Sequence, residues 1–366
     1  MAVFPQRCGD INAAWLNEVL PADVRNGGTV CAIDIEVIGE GVGLMGEVAR
    51  LTMQYESGGP VGVRTAIVKV PTENEGFKHV GLMLGLYQKE HGFYADASQH
   101  VPVSIPRAYY NAADEESGNF ALVMEDMAPR RCGNQLDGCS REEAELALRE
   151  LARFHATWWE SPLLDEFKRW LPDTDDPYFE LLEGAYVNSL PHMDAKFGHL
   201  LSEHVRGIAW RNQENYREFF DRGGGRRPHT MVHGDFRLDN MMFSQSDAGL
   251  ELTLLDFQIP FRANGLWDVV YFLAGNFTPE WRREHQHQLV QLYHSALIDA
   301  GVADYPFDQC WQDYRACALV LLGYIVTGAA DFDPDTLNER GQELLSVMFG
   351  RYAVAIEDLG SAEFLD

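Results

Sequence analysis

The densest run of chemically capable side chains is Val232-His233-Gly234-Asp235-Phe236-Arg237-Leu238-Asp239-Asn240, with five charged or hydrogen-bonding side chains in eight residues between apolar flanks. Sixteen residues beyond Asn240 stands Leu254-Leu255-Asp256-Phe257-Gln258, an acid directly after an apolar strand pattern. Mg²⁺ takes carboxylate and amide oxygens and keeps water and substrate phosphate in its shell. An Asn and an Asp on adjacent loops therefore suit a metal–nucleotide site better than a metal cage. With a further aspartate as base, the set is a signature of phosphoryl transfer.

A second group lies in the first third of the chain. Lys69 sits in Ala66-Ile67-Val68-Lys69-Val70, where strand alternation puts Ile67 and Lys69 on one face. An ammonium directed inward among apolar neighbours needs a partner. Glu90 can supply it, because Met83, Tyr87, Glu90 and Tyr94 fall at i, i+4, i+7 and i+11, one stripe of a helix predicted over 77–98. Glu73 and Glu75 are rivals for that pairing.

The elements around these groups follow from the pattern. A short helix is expected over 11–20, with Asp10 as N-cap and Pro21 closing it. Segments 30–38, 46–55 and 61–70 are rich in β-branched residues and separated by glycine-rich turns, which reads as an antiparallel meander. Strands follow at 108–111 and 120–125. Ser140 with Glu143 forms a capping box for a helix over 141–159. Residues 160–180 carry three prolines and read as a loop-rich insertion, and helices resume over 192–221. Short strands at 230–232 and 250–255 flank the polar cluster, and 266–366 reads as four or five helices. The expected architecture is α+β: a smaller lobe, 1–126, built on an antiparallel sheet with one main helix, a larger mostly helical lobe, 127–366, and a cleft between them.

Composition excludes several classes. The 366 residues are 46% apolar and 23% charged, which rules out a disordered or fibrous chain. The net charge of −27 repels phosphate backbones and anionic headgroups, so neither nucleic acid nor a membrane surface is expected as a partner. Solubility is the first meaning of that charge, and attraction of a cationic substrate is the second. The longest uncharged run, 316–330, has 15 residues against the roughly 20 needed to span a bilayer, and reads as a buried helix. The six cysteines form no CxxC pair, so reduced thiols and a cytoplasmic setting are expected. His155 on its helix stripe reads as a core histidine, and the HxH pair His285 and His287 points its rings apart, against a metal site.

His-Gly-Asp-x4-Asn followed by Leu-Leu-Asp-Phe-Gln resembles the catalytic and metal loops of the aminoglycoside-phosphotransferase and choline-kinase-like superfamily, which shares the protein-kinase fold. The Asp-Phe-Gln variant, the downstream Gly-Leu-Trp-Asp-Val-Val-Tyr-Phe-Leu and the upstream Glu-His-Gly-Phe-Tyr are most similar to its ecdysteroid kinase-like group. The resemblance implies an enzyme using ATP and Mg²⁺ to phosphorylate a hydroxyl of a small molecule. Asp235 matches the aspartate that accepts the acceptor's proton, and Asn240 and Asp256 match the Mg²⁺ ligands. Arg237 stands where protein kinases place a lysine on the transferred phosphate; balancing that charge and simple pairing with an acid are its two readings. Lys69, paired with Glu90, matches the lysine that holds the α- and β-phosphates. Gly39, Gly41 and Gly43, in the turn before it, match the phosphate-covering loop without its full GxGxxG spacing. Glu125 and Met127 belong to the segment, 124–127, whose backbone would hold adenine. His233 is expected to pack beneath the loop, and Asp268 to brace the loop's backbone. Gly234, in place of an arginine, argues against activation-loop control. The acceptor expected from the resemblance is an apolar alcohol such as a steroid; aminoglycosides, amino alcohols and hydroxyacyl thioesters are alternatives, and a nucleotide-binding protein without transfer activity is the rival of a different class.

Overall fold

The computed structural model describes residues 4–38, 45–114, 117–331 and 339–365. They divide into two compact units, Met1–Gln99 with Ile105–Pro129, and His100–Ser104 with Arg130–Asp366.

The first unit is built on five antiparallel strands, β1 (Val30–Ile38), β2 (Gly46–Tyr55), β3 (Thr65–Pro71), β4 (Ala108–Asp114) and β5 (Asn119–Glu125), in the order β1-β2-β3-β5-β4. Alternate residues of the central strands (Ala49, Leu51 and Met53; Ala66, Val68 and Val70; Ala121 and Val123) form one buried face. Helix α1 (Ala13–Val19) belongs to the same core through Leu16. Its N-cap is Asn12, whose side chain accepts from Trp15 N, rather than the expected Asp10, which pairs with Arg7 at 3.1 Å. Strand β3 begins four residues later than predicted, because Val63 N–H is taken by Val24 O at 3.0 Å.

The single main helix expected over 77–98 is two: α2 (Glu75–Met83) and α3 (Leu86–Gly92), the second running on into a π-helical turn, Phe93–Ala97. Gly85, at φ 63°, breaks the run in the left-handed region. The break rotates the stripe, so Met83 is 45% exposed while Tyr87 and Glu90 are each 1% exposed.

The second unit is mostly helical, with α4 (Arg141–Trp158), α5 (Leu163–Glu166), α6 (Tyr178–Phe197), α7 (Glu203–Glu214), α8 (Tyr216–Arg222), α9 (Leu266–Gly275), α10 (Pro279–Asp299), α11 (Phe307–Cys317), α12 (Leu321–Asp331) and α13 (Glu339–Asp358). The capping box of α4 is complete, Ser140 accepting from Glu143 N and Glu143 from Ser140 N. The run 316–330 is not one helix: a 3-10 turn, Ala318–Val320, separates α11 from α12. Helix α9 is buried on all sides, as an apolar sequence demands, and Asp268 is the one carboxylate it carries inside. A small sheet pairs β6 (Arg131–Cys132), β8 (Met241–Ser246) and β9 (Gly249–Leu254), and β7 (Thr230–Val232) pairs β10 (Phe261–Ala263). No helix among the described residues is long and apolar enough to cross a membrane. Six cysteines are free thiols.

Candidate active site

In the first unit, Lys69 on β3 meets Glu90 on α3, with Nζ 3.0 Å from Oε1 and 2.9 Å from Oε2. Both are buried, 6% and 1% exposed. The rivals fall away: Glu73 is exposed beside Arg7, and Glu75 opens α2. The Tyr87 hydroxyl, one turn before Glu90, donates to Met45 O at 2.8 Å. The turn with Gly39, Gly41 and Gly43 lies outside the described residues.

Strand β5 ends at Glu125, whose N–H is spent on Arg107 O at 2.9 Å. Asp126 next to it accepts Arg50 Nε at 2.9 Å and Ala128 N–H at 3.1 Å, which fixes the segment that follows. Burial alone would raise the Asp126 carboxyl; the Ala128 N–H and Arg50 outweigh it and hold the group below its usual range. Met127 N–H has no acceptor among the described residues.

In the second unit, the polar cluster is a loop between β7 and β8 held from beneath by α9. Asp268 accepts two successive backbone N–H groups, His233 N at 2.6 Å on Oδ2 and Gly234 N at 2.9 Å on Oδ1. Its Oδ2 also meets His155 Nε2 at 3.1 Å, and His155 Nδ1 meets the Tyr293 hydroxyl at 2.8 Å. His155 and Asp268 are fully buried, so the histidine is a satisfied core residue and Asp268 a brace for the loop. Gly234, at φ 82°, turns the chain where a Cβ would stand 2.3 Å from Ile259 O. His233 accepts Asp235 N–H on Nδ1 at 3.3 Å and donates from Nε2 to Leu255 O at 2.9 Å, a pattern that fixes the neutral Nε2–H tautomer.

Asp235 is the hub. Its Oδ2 accepts Arg237 Nε at 3.0 Å and Asn240 Nδ2 at 2.8 Å, and its Oδ1 accepts the Tyr271 hydroxyl at 2.7 Å. Burial would raise this carboxyl; the Arg237 charge, then the Tyr271 hydroxyl, outweigh it and hold the group below the usual carboxylate range, so it is an ionised carboxylate at neutral pH. Arg237 also reaches Asp239 Oδ2 at 3.3 Å and Gln135 Oε1 at 3.3 Å, so of its two expected readings the acid-paired one is what the geometry displays.

The sheet brings Asn240 and Asp256 to one end of a hairpin. Asn240 immediately precedes β8, Asp256 follows β9 by two residues, and Leu255 N–H donates to Asn240 O at 2.9 Å. The Asn240 amide N donates to both Asp235 O at 2.9 Å and Asp235 Oδ2 at 2.8 Å. Two acceptors on one side force the amide's orientation and leave Oδ1, a hard oxygen, as its remaining end. Asp256 sits at φ 62°, in the left-handed region that non-glycine residues rarely adopt. An amide oxygen and a carboxylate, brought by the hairpin to one end, are ligand types that fit Mg²⁺, whose other positions go to water and phosphate. Among the described residues no cluster of three His, Cys, Asp or Glu forms a cage for another metal.

Sequence reasoning missed Tyr271 and Tyr324, since both stand inside apolar helical runs and read as core. Tyr324 donates to Gly234 O at 2.5 Å and accepts Trp267 Nε1 at 2.7 Å, and its ring lies 4.4 Å from that of Tyr271. The usable signal was the i, i+3 spacing of Asp268 and Tyr271, which puts an acid and a phenol on one face of a helix.

Solved structures share this sheet-plus-helical fold. A Ralstonia eutropha protein assigned to the aminoglycoside phosphotransferases aligns with TM-score 0.51 at 17% identity, over 95% of this chain and 97% of that one. Aminoglycoside 2'-phosphotransferase-IIIa, in its GDP complex, aligns with TM-score 0.53 at 17% identity over 87% and 92%. Choline kinase from Cryptosporidium parvum aligns with TM-score 0.51 at 10% identity over 91% of each chain. No curated protein sequence matches the chain. Residues 40–302 match the ecdysteroid kinase-like family, and the chain belongs to it.

Proposed function

We propose that this protein is a Mg-ATP-dependent phosphotransferase acting on a hydroxyl group of a small molecule. The observation that carries the reading is the lock between Asp235 and Asn240, in which one amide orients the base and presents its own oxygen outward. Asn240 Oδ1 and Asp256 would hold Mg²⁺, which when bound neutralises phosphate charge. Lys69, aligned by Glu90, takes the α- and β-phosphates; the backbone at Glu125 and Met127 takes the adenine, and the first unit serves as the nucleotide-binding lobe.

Asp235 accepts the hydroxyl proton on a carboxylate oxygen as the acceptor oxygen bonds to the γ-phosphorus and the bond to the β–γ bridging oxygen breaks. The products are the phosphate ester and ADP. Arg237, held to Asp235 and Asp239, keeps the carboxylate in register and supplies positive charge beside the reacting centre. Such positioning and charge placement account for most of the rate in this reaction class.

Membership of the ecdysteroid kinase-like family favours an apolar, alcohol-bearing acceptor such as a steroid. The net charge of −27 favours a second reading, an amino alcohol or aminoglycoside. The test is thermal unfolding with Mg-ATP. Wild type should gain stability with Mg-ATP and little with ATP plus EDTA, and Asn240→Ala with Asp256→Ala should abolish the difference. Equal gains with and without Mg²⁺ in both proteins would overturn the metal assignment. A gain in Tm without ADP release from any alcohol would favour a binding protein without transfer activity.

A further inference from the structure

The carboxylate of Asp235 has more donors than a general base needs, and their distribution is uneven. An ionised carboxylate offers about two lone-pair positions on each oxygen. Both positions of Oδ2 are taken, by Arg237 Nε at 3.0 Å and Asn240 Nδ2 at 2.8 Å. Oδ1 takes the Tyr271 hydroxyl alone, at 2.7 Å. One position remains on the carboxylate, and it lies on Oδ1 beside a phenol.

The phenol itself is rigidly placed. Tyr271 is 3% exposed, its ring lies 4.4 Å from Tyr324 at an interplanar angle of 37° and 5.7 Å from Tyr352 at 34°. Burial, then the Asp235 charge, pushes its hydroxyl well above its usual range, so it stays a donor at every working pH. It projects from α9, which also holds the His233 and Gly234 N–H groups through Asp268, while Asn276 just past the helix accepts Leu238 N–H at 3.0 Å. One rigid helix thus fixes the loop backbone before Asp235, its side chain, and the backbone after it.

We infer that Tyr271 is a positioning residue that selects Oδ1 of Asp235 as the proton-accepting oxygen and sets the side from which the acceptor hydroxyl reaches it. This assignment rests on the phosphotransferase reading and deepens it. The acceptor oxygen then binds next to the Tyr271 hydroxyl, so this residue governs the chemical step while the nucleotide is held by other groups. Without the phenol the carboxylate is pinned through Oδ2 alone, and Oδ1, whose lone pair is directed at the acceptor, loses the one donor that fixes its own direction.

The experiment measures ADP release from saturating Mg-ATP, with water as acceptor and then with a panel of alcohols, for wild type, Tyr271→Phe, Asp235→Asn and the double variant. Tyr271→Phe keeps the stacked ring. Its kcat should fall by about 10–100-fold, the scale of misplaced reacting groups, with KM for ATP within about twofold of wild type. In the Asp235→Asn background the same change should have no further effect, because the phenol acts through that carboxylate. Tyr314→Phe, which removes a buried phenol bonded to Gln286 at 3.1 Å, is the control for loss of a buried hydroxyl and should leave kcat unchanged. The Mg-ATP-induced rise in Tm, retained in Tyr271→Phe, establishes that the variant is folded. An active wild type matched in kcat by Tyr271→Phe overturns the assignment alone. A fall in kcat that is equally large in the Asp235→Asn background also overturns it, since the effect would then bypass the base. A wild type that neither binds nor turns over Mg-ATP removes the kinase reading, and this assignment with it.

Discussion

Replacing Glu90 by leucine is a severe perturbation whose size follows from burial. Lys69 and Glu90 are 6% and 1% exposed, and the ammonium lies 2.9 and 3.0 Å from the two carboxylate oxygens. Removing one partner leaves the other charge in the protein interior, which costs about 3–5 kcal/mol. At about 2–4 °C per kcal/mol for a chain of this scale, Tm should fall by roughly 6–20 °C. Lys69→Met should do the same, with the charge left on Glu90. The double variant removes both charges and fills their space with apolar groups, a change that is near neutral or stabilising in other proteins. The two single effects should therefore be far from additive. Urea unfolding followed by circular dichroism reads all four proteins. A second readout separates stability from function: the double variant should fold like wild type yet lose the Mg-ATP-induced rise in Tm. Single-variant costs below about 1 kcal/mol, or additive effects, would refute the buried pair; an undiminished response to Mg-ATP in the double variant would refute the role given to Lys69.

Asp268→Asn replaces an acceptor oxygen with a donor beneath two backbone N–H groups, so one of them loses its partner at about 1–3 kcal/mol. Amide exchange of His233 and Gly234 should accelerate with it, and unchanged protection would contradict the brace. His229 is 4% exposed and donates to Gly225 O at 2.8 Å. Burial first, then Arg227, lowers its pKa from the ordinary value, so between the folded and unfolded values the unfolded chain binds more protons. Stability should be intact above about pH 6.5 and decline as pH falls below it, with a slope of at most about 1.4 kcal/mol per pH unit from this residue. His229→Gln should flatten that limb in urea titrations, and an unaltered slope would assign the pH dependence elsewhere.

The polar core of the site could be read in the sequence because its chemistry depends on residue type and local spacing. Asp235 and Asn240 sit in one polar run between apolar flanks, and Asp256 directly follows the next apolar strand. Alternation in a strand and a stripe in a helix, two local rules, made Glu90 a candidate partner of Lys69 beside Glu73 and Glu75, and the buried contact selects it. The rest depended on tertiary context. Gly85 interrupts the helix that carries Glu90, and a glycine inside a periodic pattern does not announce whether it will be tolerated. Strand β8 was missed because Met241-Met242-Phe243 alternates only weakly, although Asp247 before Gly249 marks the hairpin turn. Tyr271 and Tyr324 were hidden most completely, since a buried tyrosine in an apolar helix has the pattern of core, and only its hydroxyl's partner distinguishes it.

Asp235 is proposed here as the base of a phosphoryl transfer to a hydroxyl. Its most direct test is ADP release from Mg-ATP in the presence of hydroxylated small molecules, sterols and amino alcohols included, with the phosphate located on the product by NMR. Wild type should yield a phosphate ester of at least one alcohol, and Asp235→Asn, equally folded and equally stabilised by Mg-ATP, should form it at least about 100-fold more slowly. The same product formed at the same rate by both proteins would contradict the account.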